Sequence, residues 1–136
     1  MPPAHQPQNQ KKILLVDDDQ FLLDMYAIKF SKAGYEVKTA DSTALALKTI
    51  KDQSFTPDIM LCDIVMPGMD GLELVSAIRR EGLVPNAVVV MLTNQGSSDD
   101  IGRAKKMGVD GYIVKATTIP SEVLTQVERI CANKKA

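Results

Sequence analysis

Several short apolar segments of this sequence are followed directly by an acidic, hydroxyl or amino side chain. These residues are Asp17, Asp18, Asp19, Asp63, Thr93 and Lys115. Clustered carboxylates repel one another and cannot all stay ionised without a nearby cation. Because oxygen ligands select hard ions, the acidic residues indicate a site for Mg²⁺, with Mn²⁺ as a substitute.

The same side chains suit the transfer of a phosphoryl group. A carboxylate can attack phosphorus and form an aspartyl phosphate. Mg²⁺ would bridge the phosphoryl oxygens and lower the charge barrier, Lys115 would add positive charge, and Thr93 would donate a hydrogen bond. Phosphoryl transfer depends mainly on positioning and charge neutralisation, and these residue types provide both.

Each of these residues also has an ordinary structural interpretation when it is taken alone. The run 17–19 could mark only the start of a helix, where the dipole favours acids. Asp63 could be a turn residue or a cap, Thr93 before Asn94 a turn residue, and Lys115 a solvated charge. Independent caps and turns need not meet at one edge of a sheet, so their joint placement favours a site.

Five short segments rich in β-branched and apolar residues alternate with amphipathic segments. Each is too short for a helix, and four are apolar throughout, which is typical of parallel strands covered on both faces. The second alternates with charge, as suits an edge strand. The predicted strands are Ile13–Val16, Tyr35–Thr39, Ile59–Cys62, Ala87–Leu92 and Tyr112–Val114.

The intervening segments have helical spacing. The predicted buried faces are Leu22, Met25, Tyr26 and Phe30 in the first helix, Thr43, Ala46, Leu47 and Ile50 in the second, Gly71, Leu74, Val75 and Ile78 in the third, and Val123, Leu124 and Val127 in the last. Gly34 would end the first helix, and Asp41 or Ser42 would cap the second. A weaker fourth helix is predicted over 97–107, and the last begins at Pro120.

Five strand–helix pairs predict a doubly wound α/β fold with helices on both faces of a parallel sheet. Ligands bind such sheets beyond the C-terminal ends of the strands, where the polar residues above lie. Residues 1–10, rich in Pro and Gln, are predicted to be a disordered tail, and 11–133 a single domain. No output domain is expected in this chain.

Composition excludes several classes of protein. The 136 residues are 45% apolar and 24% charged, which suits one ordinary globular domain. The formal net charge of −1 gives no basic field for direct nucleic-acid binding. No apolar run reaches membrane length, and residues 1–10 lack the basic and apolar regions typical of a signal peptide. Two cysteines and one histidine are too few for a disulfide framework or a zinc site, so we expect a cytoplasmic protein with reduced thiols and no membrane insertion.

Four segments resemble the receiver domain of two-component response regulators, and the resemblance extends over residues 11–132. The segments are Ile13–Asp19, Pro57–Gly71, Met91–Thr93 and Gly111–Lys115. The D-x-x-M-P-x-M-D-G string within the second is the most specific. The resemblance implies a flavodoxin-like five-stranded sheet in the order 2-1-3-4-5 with five helices. It also implies either a stand-alone receiver, similar to chemotaxis regulators, or a piece of a longer protein.

The resemblance implies a role for each residue around the metal. Asp63 would be the phospho-acceptor and a Mg²⁺ ligand. Asp18 would bind the ion directly, Asp17 would act through a metal-bound water, and the backbone carbonyl of Val65 would be a further ligand.

The resemblance also implies which residues hold the phosphoryl group and report it. Thr93 and Lys115 would hold the group. Tyr112 would be the switch aromatic that changes rotamer as Thr93 moves, or else only a partly exposed strand aromatic. Val65 and Gln95 occupy positions that tend to set the lifetime of the phosphate in this family. Val65 has no side-chain acid to direct water, so slow autodephosphorylation is expected.

The sequence departs from the family pattern after Lys115, where Ala116 replaces the usual proline. A cis peptide before a residue other than proline costs about 3–4 kcal/mol. The Lys115–Ala116 bond is therefore either trans or a strained cis bond. The sequence alone does not decide whether the Lys115 side chain points into the site.

The function implied is that of a phosphorylation-activated switch, not an enzyme beyond its own phosphorylation and dephosphorylation. A histidine kinase or histidine phosphotransfer protein would phosphorylate Asp63 and change downstream protein contacts through the helix 4–strand 5–helix 5 face. The domain would be a monomer or a phosphorylation-dependent dimer. Two alternatives stay open: a haloacid-dehalogenase-like phosphatase using Asp17 and Asp19, although Phe21 departs from that motif, and an interaction module that works without phosphorylation.

Overall fold

The computed structural model describes residues 10–94 and 98–135, which form five strands and five α-helices in alternation. The strands are β1 (Lys12–Val16), β2 (Glu36–Ala40), β3 (Ile59–Asp63), β4 (Val88–Thr93) and β5 (Gly111–Val114). The helices are α1 (Gln20–Lys32), α2 (Thr43–Lys51), α3 (Gly71–Arg80), α4 (Ser98–Lys106) and α5 (Pro120–Lys135). A 3₁₀ turn, Lys115–Thr117, joins β5 to α5. The predictions for the tail over 1–9, for Gln95 and for Ser97 as a helix start lie outside the described residues.

The strands form one parallel sheet in the order β2-β1-β3-β4-β5. This is the predicted flavodoxin-like order, with β1 and β3 at the point where the direction of winding reverses. The edge position of β2 agrees with its alternation of charged and apolar residues, whereas every residue of β3 is buried.

The sheet separates two apolar layers. Helices α1 and α5 pack on one face, and α2, α3 and α4 pack on the other. Successive strand residues alternate between the layers: Leu14 and Met60 belong to one cluster, and Leu15 and Leu61 to the other. Because the core strands are covered on both sides, their inner positions are apolar, as the sequence indicated, and the polar residues Lys12, Asp63 and Thr93 lie at strand ends.

The buried face of α1 differs from the prediction. Leu23, Tyr26 and Phe30 are buried, while Leu22 and Met25 are only half-buried. Both sets have helical spacing and share two members, so spacing alone could not decide the helix rotation. Leu22 instead faces the cleft at the ends of the strands.

Two helix ends follow the predicted chemistry. The Ser42 side chain caps α2 by accepting a hydrogen bond from the Leu45 amide at 3.1 Å. Gly34 follows the end of α1 with φ +99°, a conformation that glycine adopts without steric cost. Within the part of the chain described, no helix is long and apolar enough to cross a membrane.

Candidate functional site

Strand pairing brings Asp17 and Asp63 to the same level of the sheet. Val16 pairs with Cys62 in the parallel register of β1 and β3. The residues that follow this pair, Asp17 after Val16 and Asp63 after Cys62, are both almost fully buried.

The register of β4 and β5 adds the other two predicted residues. Thr93 is the last residue of β4, is buried, and pairs with Val114. Lys115 follows Val114 directly. All four side chains thus come from the C-terminal ends of adjacent strands, as expected for a site in a doubly wound sheet.

The Lys115 side chain points into this edge and joins the two aspartates. Its Nζ donates to Asp17 Oδ2 at 2.9 Å and to Asp63 Oδ2 at 3.3 Å, and only 7% of the side chain is exposed. The described residues contain no cis peptide bond, so the Lys115–Ala116 bond is trans. The alanine in place of proline therefore does not prevent Lys115 from reaching the site.

Asp17 and Asp63 differ in how their oxygens are satisfied. The second oxygen of Asp17 accepts a hydrogen bond from the Asp19 amide at 2.9 Å. The second oxygen of Asp63, Oδ1, is buried and has no hydrogen-bond partner among the described residues. A buried carboxylate oxygen without a partner is unfavourable and indicates a place for an incoming group.

The electrostatics of the site follow from burial and from these charges. Burial raises the pKa of Asp63 to about 6, with Lys115 opposing the shift and Asp17 adding to it. Burial lowers the pKa of Lys115, but the hydrogen bond to Asp17 and the charge of Asp63 outweigh it, so the net shift is upward. Lys115 therefore stays cationic, while Asp63 ionises at an energetic cost.

The donor atoms fit a hard divalent cation. Asp17, Asp18 and Asp63 each offer one carboxylate oxygen, and these oxygens lie within 4.8 Å of one another. Asp18 is exposed to solvent, and the other two are buried. Oxygen-only donors next to an unpartnered buried oxygen are the environment that Mg²⁺ or Mn²⁺ prefers.

Asp18 and Asp63 line a cleft of about 460 Å³. Its lining residues are Asp18, Asp19, Leu22, Asp63, Val65, Asn94 and Lys115. The Val65 side chain is 58% exposed at this cleft. Sequence reasoning assigned no site role to Leu22 or Asn94. Asn94 directly follows Thr93, and Leu22 lies four residues after Asp18, so closeness in the sequence to predicted site residues was the available signal.

Tyr112 lies outside the cleft lining. It is half-buried on β5, pairs with Met91, and packs against the core layer that contains α4. The Lys105 ammonium of α4 lies 5.9 Å from the centre of its ring. This side chain is therefore placed between the sheet and α4.

A sequence profile of the response regulator receiver domain matches residues 13–128. The chain belongs to this family. The receiver domain is 33% identical over 120 residues to the phosphate regulon transcriptional regulatory protein PhoB of Pseudomonas aeruginosa, covering 88% of this chain and 51% of PhoB. It is 32% identical over 120 residues to the alkaline phosphatase synthesis transcriptional regulatory protein PhoP of Bacillus subtilis, covering 88% and 48%. It spans about half the length of these curated relatives.

Solved structures confirm the predicted fold. The chemotaxis response regulator CheY4 of Vibrio cholerae superimposes with a TM-score of 0.80 at 32% identity, covering 90% of this chain and 99% of that one. A CheY-like response regulator receiver domain protein of Methanospirillum hungatei gives a TM-score of 0.81 at 29% identity, covering 93% and 98%. The predictions of family and fold are both correct.

Proposed function

We propose that this receiver domain is a phosphorylation-activated switch of a two-component system, with Asp63 as the acceptor. The donor is a histidine kinase or a histidine phosphotransfer protein. One observation supports this most directly: Lys115 holds one oxygen of the buried Asp63 carboxylate, while the other oxygen has no partner among the described residues. The acceptor is thus oriented and charge-balanced on one side and free to react on the other.

In the proposed reaction, an Asp63 oxygen attacks the phosphorus atom of a phosphohistidine. The new P–O bond forms as the P–N bond breaks, and the electron pair of that bond stays on the imidazole, which takes up a proton from water. Lys115 offsets the negative charge on the phosphoryl oxygens, and the Thr93 hydroxyl donates to one of them. These interactions act where charge develops, which is the main requirement of phosphoryl transfer.

Asp18, Asp63, Asp17 through a water, and the carbonyl of Val65 would hold Mg²⁺ or Mn²⁺, which would neutralise charge on the phosphoryl oxygens. Lys115 alone does not balance three carboxylates, because it is one charge against three. Phosphorylation without a divalent ion is therefore expected to be weak.

The readout is proposed to be the face formed by α4, β5 and α5. Thr93 moves toward the phosphoryl group, and Tyr112 changes rotamer between the sheet and α4. Downstream protein contacts, as a monomer or as a phosphorylation-dependent dimer, then follow the new arrangement. The cytoplasmic location and the absence of direct nucleic-acid contact stay predictions.

Asp19 argues against the alternative of a haloacid-dehalogenase-like phosphatase. Its Oδ1 accepts a hydrogen bond from the Leu22 amide at 3.1 Å, and it caps α1. The second acid of the Asp17-x-Asp19 pair is therefore accounted for by helix capping. Receiver domains in general are phospho-accepting switches, and we propose that catalysis here is limited to the domain's own phosphorylation and dephosphorylation.

Intact mass after incubation with acetyl phosphate tests the proposal. Wild type should gain one phosphoryl group with Mg²⁺ and little without it, and Asp63→Ala should gain none. Asp24→Ala is the matched control, because Asp24 is exposed on α1 and should leave the gain unchanged. Equal labelling of Asp63→Ala and wild type would overturn the assignment of the acceptor.

Loss of the phosphoryl group should be slow once it has formed. Val65 lines the cleft, and its side chain has no acid or amide group that could orient a water molecule. The decay of the phosphorylated mass after removal of the donor measures this. A half-life of seconds would contradict the expectation.

A further inference from the structure

Two arginine side chains tie helices α3 and α4 together, and they run in opposite directions. From α4, Arg103 Nη2 donates to Oδ2 of Asp70 at 3.0 Å. From α3, Arg79 donates to the main-chain oxygens of Met107 and Gly108, just beyond the end of α4. The two contacts therefore hold α4 against α3 at separate points along its length.

Asp70 connects the first of these contacts to the acceptor. It caps α3: its Oδ1 accepts from the Glu73 amide at 2.8 Å, and Glu73 Oε1 accepts from the Asp70 amide at 2.8 Å. The Gly71 amide then donates to the oxygen of Ile64 at 2.8 Å, one residue after Asp63. The partner of Arg103 is thus part of the turn that fixes the main chain beside the acceptor.

Helix α4 has little buried apolar surface, although the Lys105 ammonium lies 5.9 Å from the centre of the Tyr112 ring on β5. Among its side chains that the structure describes, only Ala104 is buried. Arg103 also lies 3.6 Å from Asp100 on its own helix, but that pair does not hold α4 to its neighbours. Among the described residues, the Arg103–Asp70 pair is the ion pair that joins α4 to the turn beside the acceptor.

We propose that Arg103 is a positioning residue that acts as a latch, holding α4 in the unphosphorylated arrangement through Asp70. This inference rests on the proposed function and concerns its regulation. In the switched arrangement the pair is broken, and α4 turns about its C-terminal end, where Arg79 still holds it. Since the pair stabilises only one of two arrangements, its removal favours the other and everything that binds the other.

The test uses beryllofluoride with Mg²⁺ as a mimic of the phosphoryl group and measures its Kd by NMR titration. Arg103→Gln should bind it about two- to fivefold more tightly than wild type, a modest gain because Arg103 is half-exposed. Arg103→Lys, which retains the charge, should lie between the two. Lys106→Gln is the matched control: it removes a charge from the last turn of α4, and Lys106 has no ion pair within the described residues.

A double-mutant cycle isolates the pair. Asp70→Asn keeps a good capping residue but removes the charge that faces Arg103. It should tighten beryllofluoride binding as Arg103→Gln does, and the double variant should add little to either single change. Additive effects would overturn the latch.

Amide hydrogen exchange without any ligand separates the latch from the proposed function. Exchange over α4 should be faster in Arg103→Gln than in Lys106→Gln, with equal exchange in β1 and β3. If Arg103→Gln binds beryllofluoride no more tightly than Lys106→Gln, the latch is wrong while the proposed function stands. If wild type binds none, the proposed function fails, and the latch fails with it.

Discussion

Helices α3 and α4 cover the same face of the sheet, but they are held in different ways. Six of the ten residues of α3 are buried, and its first turn is closed by a capping box between Asp70 and Glu73. In α4, Ala104 is the one buried side chain among those described. Helix α3 is therefore fixed by apolar packing, whereas α4 buries little and is joined to α3 by polar contacts of the exposed residues Arg79 and Arg103.

The difference corresponds to what each helix would do in a phosphorylation switch. The turn before α3 carries the main chain next to Asp63, and an acceptor must keep its geometry for the reaction to proceed. Helix α4 lies beside Tyr112, where a change of state would be read. An element with little buried apolar surface can be displaced at small free-energy cost, which a readout requires.

The largest effect should come from Gly71→Ala at the start of α3. A Cβ at this position would overlap the main-chain oxygen of Asp63, and backbone cannot give way as a flexible side chain can. We expect a loss of about 3 kcal/mol or more in the free energy of unfolding, together with impaired phosphorylation. Urea unfolding measures the first, and intact mass the second. A loss below about 1 kcal/mol would show that the start of α3 is not rigid.

A matched pair of truncations compares the interiors of the two helices. Leu74→Ala in α3 removes a fully buried side chain and should cost about 3 kcal/mol, because the surrounding core cannot collapse into the cavity. Ile101→Ala in α4 removes a half-buried side chain and should cost less than about 1 kcal/mol. Urea midpoints of the two variants make the comparison. Equal losses would mean that α4 is packed as firmly as α3.

Much of helix α3 and of the site at the strand ends could be predicted from the sequence. The four residues Gly71, Leu74, Val75 and Ile78 were expected on one face, and all four are buried. Parallel strands place their C-terminal ends at one edge, so Asp17, Asp63, Thr93 and Lys115 were expected at the same edge of the sheet. These features depend on local periodicity and on the alternation of strands and helices, both of which can be recognised in the sequence. The strand order itself came from the family resemblance, and the direction of the Lys115 side chain was left open.

The contacts of α4 could not be predicted in the same way. Arg103 and Asp70 are 33 residues apart, and a charged residue on an exposed helix face has many partners that it could reach. The predicted buried face of α1 was wrong for a related reason. Leu22 and Leu23 each have helical spacing with Tyr26 and Phe30, so spacing does not decide which of the two leucines is buried. Such choices depend on tertiary packing, which the spacing of one segment does not contain.

Asp63→Asn tests whether the buried, ionised carboxylate of Asp63 lowers the stability of the folded domain. The pKa of Asp63 is about 6 in the folded protein against 3.8 for the free side chain, so folding favours the protonated form. The stabilisation from this raised pKa is complete below about pH 4 and is lost as the pH rises through about 6. At neutral pH without Mg²⁺, Asp63→Asn should therefore be more stable than wild type by about 1–3 kcal/mol.

Thermal unfolding at several pH values measures this difference. The gain should shrink toward zero as the pH falls below about 4, since both side chains are then neutral. Asp17→Asn is the control, because both oxygens of Asp17 are already bonded, and its replacement should destabilise the domain. A gain for Asp63→Asn that does not change with pH would contradict the assigned cause.

The smallest effect should come from Gly102→Ala, the same substitution as at Gly71 but placed in α4. A Cβ at Gly102 meets no atom within 4 Å, and alanine is a better helix former than glycine. We expect the domain to gain about 0.5–1 kcal/mol in the free energy of unfolding, opposite in sign to Gly71→Ala. Amide exchange over α4 should slow, while Asp63 should still be phosphorylated with Mg²⁺, because nothing at the acceptor is touched. A loss of stability would instead place Gly102 in a tight contact and would remove the distinction between the two helices.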